Sequence, residues 1–194
     1  HLFHIGQECY NLQQLVLDSC DKCLSSLDGI KEIALKCPLK GLSLTGIMKD
    51  SVPCTVELWD SISSMPVLTY LIVEGCLLQP TAPLPTASIK KVKGSDSACR
   101  RSLMPEVPVE ISQVRISLQR LKNLTALEVQ CFNFCSYCKR LTDDHLGVLS
   151  HLVGLAYLRV KRLPAFHYTK WLTAIFSSCP DLKYVYISNT HGSI

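Results

Sequence analysis

The sequence predicts an α/β chain in which short parallel strands and helices alternate along a repeating coil, and three observations carry that prediction. Six segments share the pattern apolar-x-x-apolar-x-apolar: Leu12/Leu15/Leu17, Leu39/Leu42/Leu44, Leu68/Leu71/Val73, Leu124/Leu127/Val129, Leu155/Leu158/Val160 and Leu182/Val185/Ile187. Their first positions are separated by 27, 29, 56, 31 and 27 residues, and the long step is twice 28. Between the segments run stretches whose apolar residues recur with helical spacing.

Each element follows from its own spacing. A short strand sends alternate side chains to opposite faces, so the last two apolar residues of each segment point inward together while the residues between them face out. One such strand is unstable alone, but stacked copies pack apolar set on apolar set and form a parallel ladder. Burying one Leu is worth roughly 1.5–3 kcal/mol, so six rungs supply an ample core. The helical stripes come in order as Leu24, Leu27, Ile30 and Ile33; Val56, Trp59 and Ile62; Ile111, Val114, Leu118 and Leu121; Leu146, Leu149 and Leu152; and Leu172, Ile175 and Cys179. Thr142, followed by Asp143 and Asp144, reads as a helix start, because a hydroxyl caps free N–H groups and carboxylates favour the positive end of the dipole. A strand and a helix in about 28 residues is the leucine-rich-repeat period. It implies a right-handed βα solenoid curved into a horseshoe, with parallel strands on the concave face and helices on the convex face.

The doubled step marks an interruption. Residues 79–108 read QPTAPLPTASIKKVKGSDSACRRSLMPEVP, with four of the chain's ten prolines between Pro80 and Pro105. Proline removes donors and the polar residues bury little surface, so a flexible, Pro-rich basic insertion is expected there, within one repeat and ahead of the helix near Ile111. A degenerate repeat around Ile89 and Val92 lacks the third apolar position. Lys90, Lys91 and Lys93 have the form of a nuclear-import patch, and Arg100-Arg101-Ser102 that of a kinase site; both patterns are short and frequent by chance, and a solvated loop is the favoured reading of each. Residues 1–194 are read as a single solenoid fragment of a longer coil, since the chain opens on a helix-like end and stops just past a strand.

Charge and composition exclude several classes. The net charge is +4, and the stretch from Gln79 to Pro105 carries five cations against Asp96 alone, an excess equal to that of the whole chain. A basic balance confined to one loop is no nucleic-acid groove. No apolar run is long enough to cross a bilayer, so no membrane association is expected. The eleven cysteines are odd in number and follow the repeat rather than a disulfide framework. Cys20 and Cys76 stand eight residues after the first Leu of their repeats, and Cys9 and Cys179 three before it. A free Cys behaves as a small buried hydrophobe, which implies reduced thiols and a place in the cytoplasm or nucleus.

Cys131, Cys135 and Cys138 with His145 approach a zinc set, but no second CxxC completes it, and a loop leaving a strand, covered by Phe132, Phe134 and Tyr137, accounts for the same residues. His145 and His151 are six apart and do not share a helix face as zinc-binding pairs do. Neither a GxSxG elbow nor a phosphate-cradling glycine loop is present. Asn123-Leu124-Thr125 has the form of a glycosylation acceptor, yet Leu124 is a core position. The expectation is a non-catalytic chain with neither metal nor cofactor.

What remains is the outward face of the strands. By register it carries one column of Gln14, Gly41, Tyr70, Ala126, Tyr157 and Tyr184, a second of Val16, Ser43, Ile72, Glu128, Arg159 and Tyr186, and a third of Asp18, Thr45, Glu74, Gln130, Lys161 and Ser188. Tyr and Arg bury large area while keeping polar handles, so Tyr70, Glu74, Tyr157, Arg159, Lys161, Tyr184 and Tyr186 are the candidate contacts for a protein partner. The competing reading is an ordinary strand face, where Tyr is common for packing reasons.

The segments CxxLxxLxLxxC at Cys9 to Cys20 and CPxLxxVxI at Cys179 to Ile187, with LTDDHLGVL at Leu141 to Leu149, resemble the cysteine-containing repeats of F-box leucine-rich-repeat proteins. Ile47, Phe132, Leu163 and Thr190 depart from that pattern where Cys is expected. The resemblance implies a substrate-recognition module of a cullin-RING ubiquitin ligase, which holds the protein to be ubiquitinated on its concave face and reaches the ligase adaptor through an F-box outside these residues. An intracellular leucine-rich-repeat scaffold unrelated to ubiquitination is the alternative.

Overall fold

The computed structural model describes residues 2–20, 24, 26–47, 55–78, 109–131, 138, 141–163 and 169–189. The insertion 79–108, with Lys90, Lys91, Lys93 and Ser102, lies outside them, as do Cys135 and its aromatic neighbours. Helices α1 (Leu2–Glu8), α2 (Asp28–Lys36), α3 (Thr55–Ser63), α4 (Val109–Arg120), α5 (Asp143–Gly147) and α6 (Thr169–Ser178) alternate with strands β1 (Gln14–Asp18), β2 (Gly41–Thr45), β3 (Tyr70–Glu74), β4 (Ala126–Gln130), β5 (Tyr157–Leu163) and β6 (Tyr184–Asn189). The strands form one open parallel sheet in the order β1-β2-β3-β4-β5-β6. This is an α/β architecture compatible with a βα solenoid.

The registers are those the apolar triplets require. Leu15 pairs with Leu42, Leu42 with Leu71, Leu71 with Leu127, Leu127 with Leu158 and Leu158 with Val185. All but the two at the sheet edges, Leu15 and Val185, are buried, because an edge strand has a neighbour on one side only. The helices supply the other wall of the same core through Ile30, Ile33, Leu58, Trp59, Ile62, Val114, Leu118, Leu146 and Ile175. Leu24 is buried ahead of α2 rather than within it. In α6 the expected stripe holds at Ile175 and Cys179, but its first buried member is Trp171, with Leu172 only half-buried.

Strand β3 pairs directly with β4, Tyr70 opposite Ala126, which leaves no place for a further strand between them. The two sides of this junction are also joined through helices, where Ser117 donates to Asp60 at 2.5 Å and Arg120 reaches the same carboxylate at 3.7 Å. Asn123 donates to the Pro66 carbonyl at 2.6 Å and Thr125 to that of Thr69 at 3.3 Å, so both polar members of the acceptor-like triplet serve the preceding repeat.

Strand exits use the left-handed region. Ser19, Gly46 and Arg162 each follow their first Leu by seven residues and have φ of 53°, 64° and 59°. One place beyond these turns Ile47 and Leu163 are buried and Cys20 is half-buried; Cys76, in the same slot after Gly75, is buried as well, so the slot accepts any compact apolar group. Gly75 holds the same seventh position for a different reason, since a Cβ there would stand 2.5 Å from Cys131 Sγ and 2.9 Å from Leu141.

Cys9, Cys20, Cys37 and Cys179 are free thiols. Cys37 and Cys179 are buried and donate to carbonyls one repeat back, those of Cys9 and Leu152, each at 3.3 Å. Burial pushes both thiols above their ordinary pKa, which keeps them neutral. Cys9 itself is exposed, so its slot is not a core position at the first repeat.

Candidate functional site

The sheet face opposite the helices carries the three columns in the expected order, with Tyr70, Ala126, Tyr157 and Tyr184 side by side and Ile72, Glu128, Arg159 and Tyr186 beside them. It is open to solvent at Val16, Tyr70, Tyr184 and Tyr186, which are 68%, 39%, 47% and 40% exposed. At its centre, small residues let long neighbours close over the backbone: Gln14 and Tyr70 both lie against the space above Gly41.

Five of the seven candidate contacts converge on one end of this face, on β5 and β6. Parallel pairing at strand spacing places like-numbered side chains flank to flank. The rings of Tyr157 and Tyr184 accordingly stack with centroids 4.7 Å apart and planes 4° from parallel. One rung along, the Arg159 guanidinium lies over the Tyr186 ring at 5.1 Å. The same guanidinium reaches Glu128 at 3.7 Å, and the Lys161 ammonium pairs with the other oxygen of that carboxylate. Gln130 also donates to Glu128, at 2.6 Å. Sequence reasoning placed Glu128 in its column but missed its role, because only the fold brings two cations to it. The Arg159 Nε is buried without a hydrogen-bond partner. Tyr70 stands on the other side of Ala126, and burial, followed by the Glu128 charge, raises its pKa.

Glu74, the seventh candidate, is corrected by its surroundings. It is 3% exposed and turns away from solvent, accepting a hydrogen bond from the Ile47 amide at 2.9 Å and one from the Cys76 thiol at 3.6 Å. Burial pushes its carboxyl up to about 7, against the pull of those donors. It is a buried tie between β2 and β3, not a surface for a partner. Lys161 also departs from the expected pairing with Ser188: a bulge between Val160 and Leu163 sets one extra residue into β5, and the Arg162 amide donates to Ser188 Oγ at 3.2 Å instead.

Elsewhere, groups singled out by the sequence are otherwise engaged. The His145 ring sits in a capping box with Thr142, whose amide and hydroxyl lie 3.1 and 2.7 Å from Nδ1. His151 meets Gln119 at 3.2 Å on the neighbouring helix, and burial, then Arg115, lowers its pKa. Among the described residues no three His, Cys, Asp or Glu side chains are grouped to hold a metal, and no helix is long and apolar enough to cross a membrane. A groove of about 380 Å³ between α2 and α3 is lined by Lys31, Leu35, Glu57, Asp60, Ser61 and Ser64; Lys31 and Glu57 pair across it at 3.1 Å. Compared with protein-family models and with curated proteins, the chain matches none.

Proposed function

We propose that this chain is a non-catalytic protein-binding domain, a leucine-rich-repeat right-handed solenoid whose concave strand face recognises the substrate of a cullin-RING ubiquitin ligase. The fold class supports the solenoid reading through six parallel strands in chain order with apolar triplets in register. The binding reading rests on one observation above the others: Tyr157, Tyr184, Arg159, Tyr186 and Lys161 are gathered around Glu128 on an uncovered sheet face. Aromatic groups and arginine presented together at low conformational cost are the usual anchors of protein recognition. The ligase assignment rests on the repeat resemblance at Cys9–Cys20, Leu141–Leu149 and Cys179–Ile187, and places the F-box outside these residues and the protein in the cytoplasm or nucleus.

Affinity purification of the full-length protein tests both parts. Recovery of a cullin and its adaptor, with a further protein lost selectively from an Arg159→Ala/Tyr184→Ala variant, is the expected result. Retention of that further protein without ligase components assigns the chain to an intracellular scaffold instead.

A further inference from the structure

The open face has a gap with a defined width. Tyr157 is stacked on Tyr184 toward β6, so one face of its ring is covered and the other turns toward β4. Tyr70 lies against the space above Gly41, toward β2, its Cδ1 3.9 Å from where a Cβ would stand. Ala126, the small residue between them in the register, leaves the space over its own Cβ to the two flanking rings. Two strand spacings separate Tyr70 from Tyr157, about 9–10 Å. A planar group held between two surfaces needs about 7 Å, twice an ordinary van der Waals contact. One flat side chain fits above Ala126.

The charge next to this gap is unbalanced. Arg159 and Lys161 share a single carboxylate, that of the buried Glu128, and the Glu74 carboxylate is withdrawn beneath the face. The Arg159 Nε has no partner of its own. The anionic Asp18 stands at the far edge of the sheet, on β1. Residues two apart on a strand are about 6.6 Å apart on one face, so a segment lying along β4 with a planar side chain over Ala126 brings its second-next side chain beside Arg159.

We propose that this face takes an extended acidic segment of a partner protein, a planar side chain seated over Ala126 between Tyr70 and Tyr157, and a carboxylate two residues on held by Arg159 and Lys161. The inference deepens the protein-recognition reading and depends on it. A second copy of the chain is the competing occupant.

Fluorescence anisotropy with the full chain provides the test. The probe is a labelled nonapeptide, Gly-Ser-Gly-Tyr-Ser-Glu-Gly-Ser-Gly, compared with versions carrying Gln or Lys in place of Glu and Ala in place of Tyr. The Glu peptide is expected to bind about tenfold more tightly than the Gln peptide, as a charge-assisted contact implies. That preference disappears in Arg159→Gln, and Ala126→Leu, which fills the gap while circular dichroism shows an intact fold, removes the preference for Tyr over Ala. Equal affinity for the Glu and Gln peptides, tighter binding of the Lys peptide, no binding of any of them, or a dimer whose interface protects Tyr157 overturns the proposal. Loss of a cellular partner from Tyr184→Ala alongside equal Glu and Gln affinities sinks the acidic-segment inference alone. A Glu preference without recovery of ligase components supports it and removes only the ligase assignment.

Discussion

Glu74 on β3 accepts the Ile47 amide at 2.9 Å, so a carboxylate buried to 3% exposure fastens the turn leaving one strand to the end of the next. Its pKa is raised from 4.5 to about 7, with burial the main cause. An acid whose folded pKa is raised contributes stability that is fully present below 4.5 and is lost as pH rises through about 7, since the folded chain retains a proton the unfolded chain has released. The loss amounts to about 3 kcal/mol. Denaturant titrations at pH 4.5, 6 and 8 should show it, and Glu74→Gln should flatten the decline; an unchanged slope in that variant refutes the assignment.

Leu158, on the core face of β5, is fully buried, so Leu158→Ala should cost about 2–5 kcal/mol in urea unfolding. Tyr184→Ala, on the opposite face of the neighbouring strand, should cost only about 0.5–1.5 kcal/mol for the lost stack. Similar losses for the two variants would contradict the division of the sheet into a core face and an open face.

Gly75 is held by proximity rather than by dihedral angle. Gly75→Ala should destabilise by about 1–3 kcal/mol through overpacking against Cys131, and part of that cost should vanish when Cys131→Ala is added. A double-mutant cycle with no coupling between these positions would show that the contact is relieved elsewhere.

Thiol reactivity should track burial. Under native conditions iodoacetamide should modify Cys9 rapidly and Cys37 and Cys179 slowly, as read by peptide-resolved mass spectrometry, because the latter two are buried, hydrogen-bonded and held neutral. Fast labelling of Cys179 would place it outside the core.

The registers were legible because a period-two pattern admits one inward set per strand, and a slip by one residue would put Leu42 and Leu44 in water. The face of Tyr157, Arg159 and Tyr186 followed from the same rule. Glu74 was not legible: in its column it looks like Lys161, and what buries it is the turn at Gly46–Ile47 and the tight helical turn Gly75–Leu78, which come from neighbouring segments. The first buried residue of α6 was missed because Leu172 and Trp171 are adjacent and both apolar, so spacing alone does not choose between them. The bulge at Arg162 carries no sequence signal of its own, since a non-glycine residue there adopts φ 59°.

The seam between β3 and β4 joins residues 56 positions apart through backbone pairing, Asn123 on Pro66 and Ser117 on Asp60. None of these links uses the peptide bonds that run from Leu78 to Val109. The amino-terminal and carboxy-terminal pieces on either side of those bonds each carry a ready-made mating edge, and co-expressed as separate polypeptides they should find each other and rebuild the same continuous sheet.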